Sequence, residues 1–272
     1  MSKSELLFLS DRVVLAAFAI LFVFADAAAA TVEYPFSGRW RMDTASIKGD
    51  IKPTIIELAD GAFRKDNGPI VKADGDFHRV SGSGYVDETS ISVVSDYVVR
   101  EIDRVRGKLA YTVEYKISPD GNTLTWNVAS YTNPNGQEVK SVTVQRRVGL
   151  PVKGSHFISG KWERVSVAVD SKSDWILKLD GNRFSWRTEY GTGYDSIIGG
   201  ESVKIDGDSS GARALVTRPQ LDTIVETDLS SKGEHESVLT MKLLPDQNTI
   251  RGTAFSVKTK RSTTFYLNRL SK

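Results

Sequence analysis

Tyr111, Val113, Tyr115 and Ile117 alternate along the chain with Thr112, Glu114 and Lys116. A period of two sends successive side chains to opposite faces, so this stretch predicts a half-buried β-strand. The pattern recurs in "TIIEL" from Thr54, "SDYVVREID" from Ser95, "TLTWNVASY" from Thr123 and "SVTVQRRV" from Ser141. It returns in "WILKL" from Trp175, "RFSWRTEY" from Arg183, "DTIVETDL" from Asp222, "SVLTMKLL" from Ser237 and "TTFYLNRL" from Thr263. Between the runs stand Asp60-Gly61, Asp74-Gly75, Asp120-Gly121, Asn135-Gly136, Asp180-Gly181 and Asp206-Gly207. Such pairs supply the positive φ angles that tight hairpins need. Helical periodicity is nearly absent after residue 31. Many short strands joined by tight turns predict an all-β fold, either barrels or sandwiches.

The landmarks occur twice. Phe36-Ser37-Gly38-Arg39-Trp40 matches Ile158-Ser159-Gly160-Lys161-Trp162, and "DYVVREID" matches "DTIVETDL". The hairpin Ser118-Pro119-Asp120-Gly121 returns as Leu244-Pro245-Asp246-Gln247. Trp40 to Arg147 and Trp162 to Arg269 are both separations of 107 positions. A spacing held across several landmarks predicts two copies of one domain. The copies are expected at 31–149 and 158–272, joined by a Pro- and Gly-bearing linker at 150–157. In the second copy Gln247 replaces the turn glycine, and Asn248 is expected to take the left-handed position.

An all-β unit of this length, opening on Gly-x-Trp and closing on an arginine, resembles the lipocalin and fatty-acid-binding (calycin) barrels. The spacing with its "DG-x-T-L-T" hairpin is also similar to small exported bacterial proteins of unknown role. The resemblance implies tandem antiparallel calycin-like barrels, or strongly curved sheets. It also implies a tryptophan at each barrel floor with a guanidinium across its ring. On these residues Trp40 would pair with Arg147 and Trp162 with Arg269.

Lys3 and Arg12 flank the start, Val13 to Phe24 form an apolar run of 12 residues, and Ala25 to Ala30 offer small residues. That order predicts a signal peptide over 1–30 and a mature start near Thr31. The run is shorter than the roughly 20 residues a membrane helix takes, so no stable span is expected after cleavage. The chain has no cysteine. Export without disulfides fits a periplasmic or secreted protein that relies on its own core. The formal charge is +2, and losing two basic and three acidic residues with the leader leaves it close to +3. Scattered basic residues and so small a charge argue against nucleic acid as a partner.

The motifs of chemistry are sparse. His78, His156 and His235 fall in a strand, the linker and a hairpin tip, so no metal or catalytic triad is expected. "SGSGY" at Ser81–Tyr85 and "GTGYDS" from Gly191 read as loops, because no helix follows to expose a nucleophile or hold a phosphate. Asp206-Gly207-Asp208-Ser209-Ser210-Gly211 begins like a calcium loop, but its twelfth position is Thr217, so a hairpin is expected. No cofactor is predicted. Glu114, Glu189, Glu201 and Glu226 lie on or near strands and read as a solvated face. The aromatic residues carry the functional expectation. Trp186 and Tyr190, with Thr188 on the same predicted face, stand before Tyr194 and a glycine-rich segment. Tyr85, Tyr97, Tyr111, Tyr115 and Trp126 form a comparable set in the first copy. Inward tyrosines and tryptophans would line a cavity for a small apolar or aromatic ligand, with Tyr111, Tyr115, Trp126, Trp186, Tyr190 and Tyr194 as its contacts. The alternatives are a secreted hydrolase or isomerase with a polar site in a barrel, and an envelope module with filled cores.

Overall fold

The computed structural model of the chain describes residues 35–49, 52–81 and 86–271. The expected leader and Tyr85 lie outside the described residues. The strands are β1 (Gly38–Gly49), β2 (Thr54–Ala59), β3 (Ala62–Lys65), β4 (Val71–Lys72), β5 (Asp74–Arg79), β6 (Glu88–Ser95) and β7 (Val98–Val105). They continue as β8 (Lys108–Ile117), β9 (Thr123–Ser130), β10 (Val139–Val148), β11 (Gly160–Val169), β12 (Trp175–Asp180), β13 (Arg183–Arg187) and β14 (Gly193–Ile197). The last are β15 (Val203–Lys204), β16 (Arg213–Gln220), β17 (Thr223–Leu229), β18 (His235–Leu243), β19 (Thr249–Ser256) and β20 (Ser262–Ser271). All described pairings are antiparallel.

Two ten-stranded sheets form, each curled into a nearly closed barrel. Barrel one runs β4-β3-β2-β11-β10-β9-β8-β7-β6-β5, and barrel two runs β14-β13-β12-β1-β20-β19-β18-β17-β16-β15. The barrels and the sequence repeat are therefore out of step by one strand. β11 opens the second copy yet closes barrel one, between β10 and β2. β1 opens the first copy yet closes barrel two, between β20 and β12. Consecutive strands tend to pair, and β11 folds back on β10, which immediately precedes it. No described strand precedes β1, and it fills the equivalent slot in the other barrel. The contiguous division at 149–158 describes the repeat, but it cuts through barrel one.

This exchange corrects the expected floor pairs. The Arg269 guanidinium lies 4.1 Å from the Trp40 ring centroid, and Arg147 lies 4.1 Å from that of Trp162. Both tryptophans are fully buried. Each indole N–H donates to a carbonyl four residues earlier, Phe36 at 3.0 Å and Ile158 at 2.8 Å. The repeated motif explains itself around them. Ser159 exchanges hydrogen bonds with the backbone of Leu58, and Ser37 does the same with Leu179, which latches each opening strand to its barrel. Gly160 has φ +148°, and a Cβ there would stand 2.5 Å from Arg147 Nη1. The glycine thus makes room for the guanidinium.

The repeated hairpin serves the same floor. Arg147 Nε donates to the Gly121 carbonyl at 2.6 Å, and Arg269 Nε donates to the Gln247 carbonyl at 2.9 Å. Gln247 itself takes the left-handed conformation, at φ 54°, so the expected role of Asn248 is corrected. The cause is the aspartate before it. Asp246 Oδ1 accepts from the backbone N–H groups of Asn248 and Thr249, as Asp120 accepts from Asn122, and this fixes the turn one residue earlier.

A guanidinium on an indole face contributes about 0.5–2 kcal/mol. A double-mutant cycle of Trp40→Leu with Arg269→Met, read by urea unfolding, is expected to show coupling of about that size. The cycle of Trp40→Leu with Arg147→Met is expected to show none. Coupling in the second pair and not in the first would refute the exchange.

Candidate functional site

Pairing registers give the equivalent inward positions of the two barrels. Ile56 faces Lys65 as Leu177 faces Trp186, so Lys65 in barrel one occupies the place of Trp186 in barrel two. Tyr115 likewise stands at the place of Met241, Trp126 at that of Gly252, and Thr143 at that of Phe265. The last two exchanges compensate in size. The Phe265 ring covers Gly252, where a Cβ would meet the ring at 2.4 Å, whereas in barrel one Trp126 takes that space beside the smaller Thr143. One fold therefore encloses two different interiors.

Around Trp186, barrel two is aromatic. Trp175 meets Trp186 edge to face at 5.7 Å and Phe265 at 6.0 Å, and Tyr194 lies 6.0 Å from Trp186. Above these rings lies a cavity of about 100 Å³. Barrel two contributes Trp175, Trp186, Leu239, Ala254 and Phe265, and β1 contributes Met42, Thr44 and Ile47. Barrel one closes the far side with Val139 of β10, Val167 and Val169 of β11, and the Ser130–Asn133 segment. The site is thus built at the junction, where the exchanged strands pass between barrels. Thr188 lines the cavity, and its hydroxyl is buried without a hydrogen-bond partner. β13 ends at Arg187, so Tyr190 reaches the cavity from the following turn and not from the strand. Its hydroxyl is pushed up to about 12, first by burial and then by its hydrogen bond to Asp170.

Of the six expected ligand contacts, the cavity takes Trp186 and Tyr190. Tyr194 lies behind Trp186, and its hydroxyl donates to Glu226 at 2.5 Å. Glu226 is completely buried, which corrects its reading as part of a solvated face. Tyr97 points outward and stacks on Phe157 at 5.1 Å. Tyr111, Tyr115 and Trp126 belong to β8 and β9 of barrel one and do not border the cavity.

Tyr115 and Trp126 enter a polar cluster instead. Tyr115 donates a short hydrogen bond to Glu101 and accepts one from Lys65 Nζ at 3.1 Å. Lys65 also contacts the Glu101 carboxylate at 3.4 Å and lies 5.5 Å from the Trp126 ring centroid. Thr89 donates to Asp103 at 2.7 Å. Loss of water works against the Lys65 ammonium, but Glu101, Tyr115 and Asp103 outweigh it and hold its pKa well above the ordinary value. Burial first, and Glu101 second, push Asp103 up to about 8 against the lowering hydrogen bond from Thr89. Burial likewise raises Tyr115 well above a free phenol. Lys65, Glu101 and Asp103 were not singled out in the sequence. The signal was the Glu-x-Asp pair, present at 101 and 103 and again at 226 and 228, in phase with buried Val99 and Ile224.

The remaining motifs are structural. His78 bonds Asp74 at 2.8 Å, His156 bonds the Ser95 carbonyl at 2.8 Å, and His235 is exposed at the start of β18. Asp208 Oδ1 accepts from the backbone of Ser210 and Ala212, which makes the calcium-like segment a self-bonded turn. Among the described residues no group of three His, Cys, Asp or Glu side chains is placed to hold a metal. No described helix is long and apolar enough to cross a membrane. No protein-family model matches the chain, and no curated protein matches it either.

Proposed function

We propose that the chain is an exported binding protein for a small, largely apolar ligand held in the junction cavity. The observation that carries this reading is an aromatic-walled space with one buried, unpartnered hydroxyl, that of Thr188. Apolar walls supply most of the affinity in such sites, and a few polar atoms set orientation. Engineered apolar cavities of about 150 Å³ take up benzene. A space of about 100 Å³ therefore suits one aromatic ring or a short aliphatic chain. Threonine can donate or accept, which favours a ring bearing a hydroxyl. The calycin resemblance supports ligand carriage as a use of the fold. Export rests on the order of residues 1–30, and N-terminal sequencing of the mature protein is expected to begin near Thr31.

The test is fluorine NMR with 4-fluorophenol and fluorobenzene. Both resonances are expected to broaden and shift with the full chain, the phenol more strongly. Thr188→Val should remove the phenol's advantage, and Ala254→Leu should block both by filling the space. Unchanged resonances at millimolar protein, or binding untouched by Ala254→Leu in a folded variant, would end this reading.

A further inference from the structure

The inward face of barrel one holds a cation that no described residue neutralises. Arg164 stands on β11 directly opposite Gln145 of β10, one inward step above the floor pair Trp162 and Arg147. Gln145 is 3% exposed, so the shared face points into the barrel. The neighbouring pair Glu163 and Arg146 faces outward and forms an exposed ion pair at 2.8 Å. Arg164 itself makes no hydrogen bond or ion pair among the described residues. Loss of water lowers its guanidinium pKa.

The other inward cations are already committed. Arg147 gives its N–H groups to the carbonyls of Gly121, Ser159 and Phe157, and Lys65 is paired with Glu101. Unsatisfied atoms also lie on the inward face of barrel one, the nearest by register being that of Gln145. Gln145 Oε1 and Ser141 Oγ on β10, and Trp126 Nε1 on β9, are buried with no partner. Ser141 and Gln145 are each 3% exposed. In barrel two the positions of Arg164 and Gln145 are held by Met42 and Leu267, which are paired in the same register. The fold therefore does not need a charge there. A desolvated guanidinium and several orphaned polar atoms are costly unless something meets them.

We propose that barrel one carries a second site, distinct from the junction cavity, for a small organic carboxylate anchored on Arg164. A carboxylate offers two coplanar acceptors that match the guanidinium fork. Gln145 Oε1 adds an acceptor, which suits a ligand hydroxyl beside the carboxylate.

The test is calorimetric titration of the full chain with lactate, propionamide and inorganic phosphate. Lactate is expected to bind and propionamide is not. Arg164→Met, which copies barrel two, should weaken lactate about tenfold or more while keeping the fold. Gln145→Leu should weaken it independently, which covers the case in which the methionine variant fails to fold. Binding of 4-fluorophenol should be unchanged in both, which separates this site from the junction cavity. The proposal is overturned if lactate does not bind, if phosphate binds and lactate does not, or if both variants hold lactate as tightly as the parent.

Discussion

Deleting residues 35–49 is expected to leave barrel one folded and to unfold barrel two. Barrel one is contiguous from β2 to β11 and contains no residue of β1. Barrel two loses its closing strand, and with it the fully buried Phe36 and Trp40. It also loses the ladder to β20 and the clamp in which Asp174, 5% exposed, accepts hydrogen bonds from Arg39 and Arg41. Truncating one buried tryptophan typically costs about 3–5 kcal/mol, a large share of the roughly 5–15 kcal/mol that holds a domain. Removing the whole strand exceeds what the remaining core can carry, and it exposes β12 and β20 as open edges. Hydrogen exchange by mass spectrometry checks this directly. Peptides from 52–169 should keep their protection and peptides from 175–271 should lose it. A synthetic peptide covering 35–49 should restore protection in barrel two. Equal loss in both barrels, or protection of 175–271 without the strand, would contradict the exchanged topology.

That exchange shows where sequence reading stops. The strands, most turns and the duplication are written locally, in a two-residue period and in motifs such as Ser-Gly-x-Trp; the exceptions are the turn at Gln247 and the early end of β13 at Arg187. The floor partners are not local. Both copies carry the same tryptophan and arginine at the same spacing, so the exchanged and unexchanged pairings satisfy the motif equally. Only the order of strands in space separates them. The junction cavity was hidden for a related reason, since Met42, Val167 and Trp175 come from three separated segments with no common pattern. Trp186 and Tyr190 could be anticipated as inward aromatics. Which of the six rings would border open space, and which would be consumed by packing or by an acid, depended on partners across a barrel. The acidic pair was half legible. Val99 sets the inward phase of β7, so Glu101 and Asp103 must follow it inside. Reading charged strand residues as solvated overrode that phase. The partner that makes burial tolerable, Lys65, lies on β3 and leaves no mark near them in the chain.

The inward acid Asp103 gives barrel one a pH response. Asp103 is pushed up to about 8 in the folded protein, by burial and then by Glu101, against an ordinary value of about 3.9 in the unfolded chain. Between those values the native state keeps a proton that the unfolded state has released. Stability contributed by this residue is therefore highest below about pH 4, falls as pH rises toward 8, and is flat above. The slope approaches about 1.4 kcal/mol per pH unit when one whole proton separates the states. Asparagine copies the neutral acid in shape and can still accept the hydrogen bond from Thr89. Asp103→Asn is thus expected to stabilise barrel one, little in acid and by a few kcal/mol near neutral pH. Urea unfolding of parent and variant at a series of pH values, followed by exchange in β6 to β8, reads the difference. The gap between the two curves should widen steadily with pH until about 8 and then stop. Parallel curves would mean that Asp103 is ionised in the folded barrel. The ammonium of Lys65 would then be shared between two carboxylates, and the whole cluster would carry net negative charge, which is the arrangement least compatible with an anion at Arg164 a few strands away.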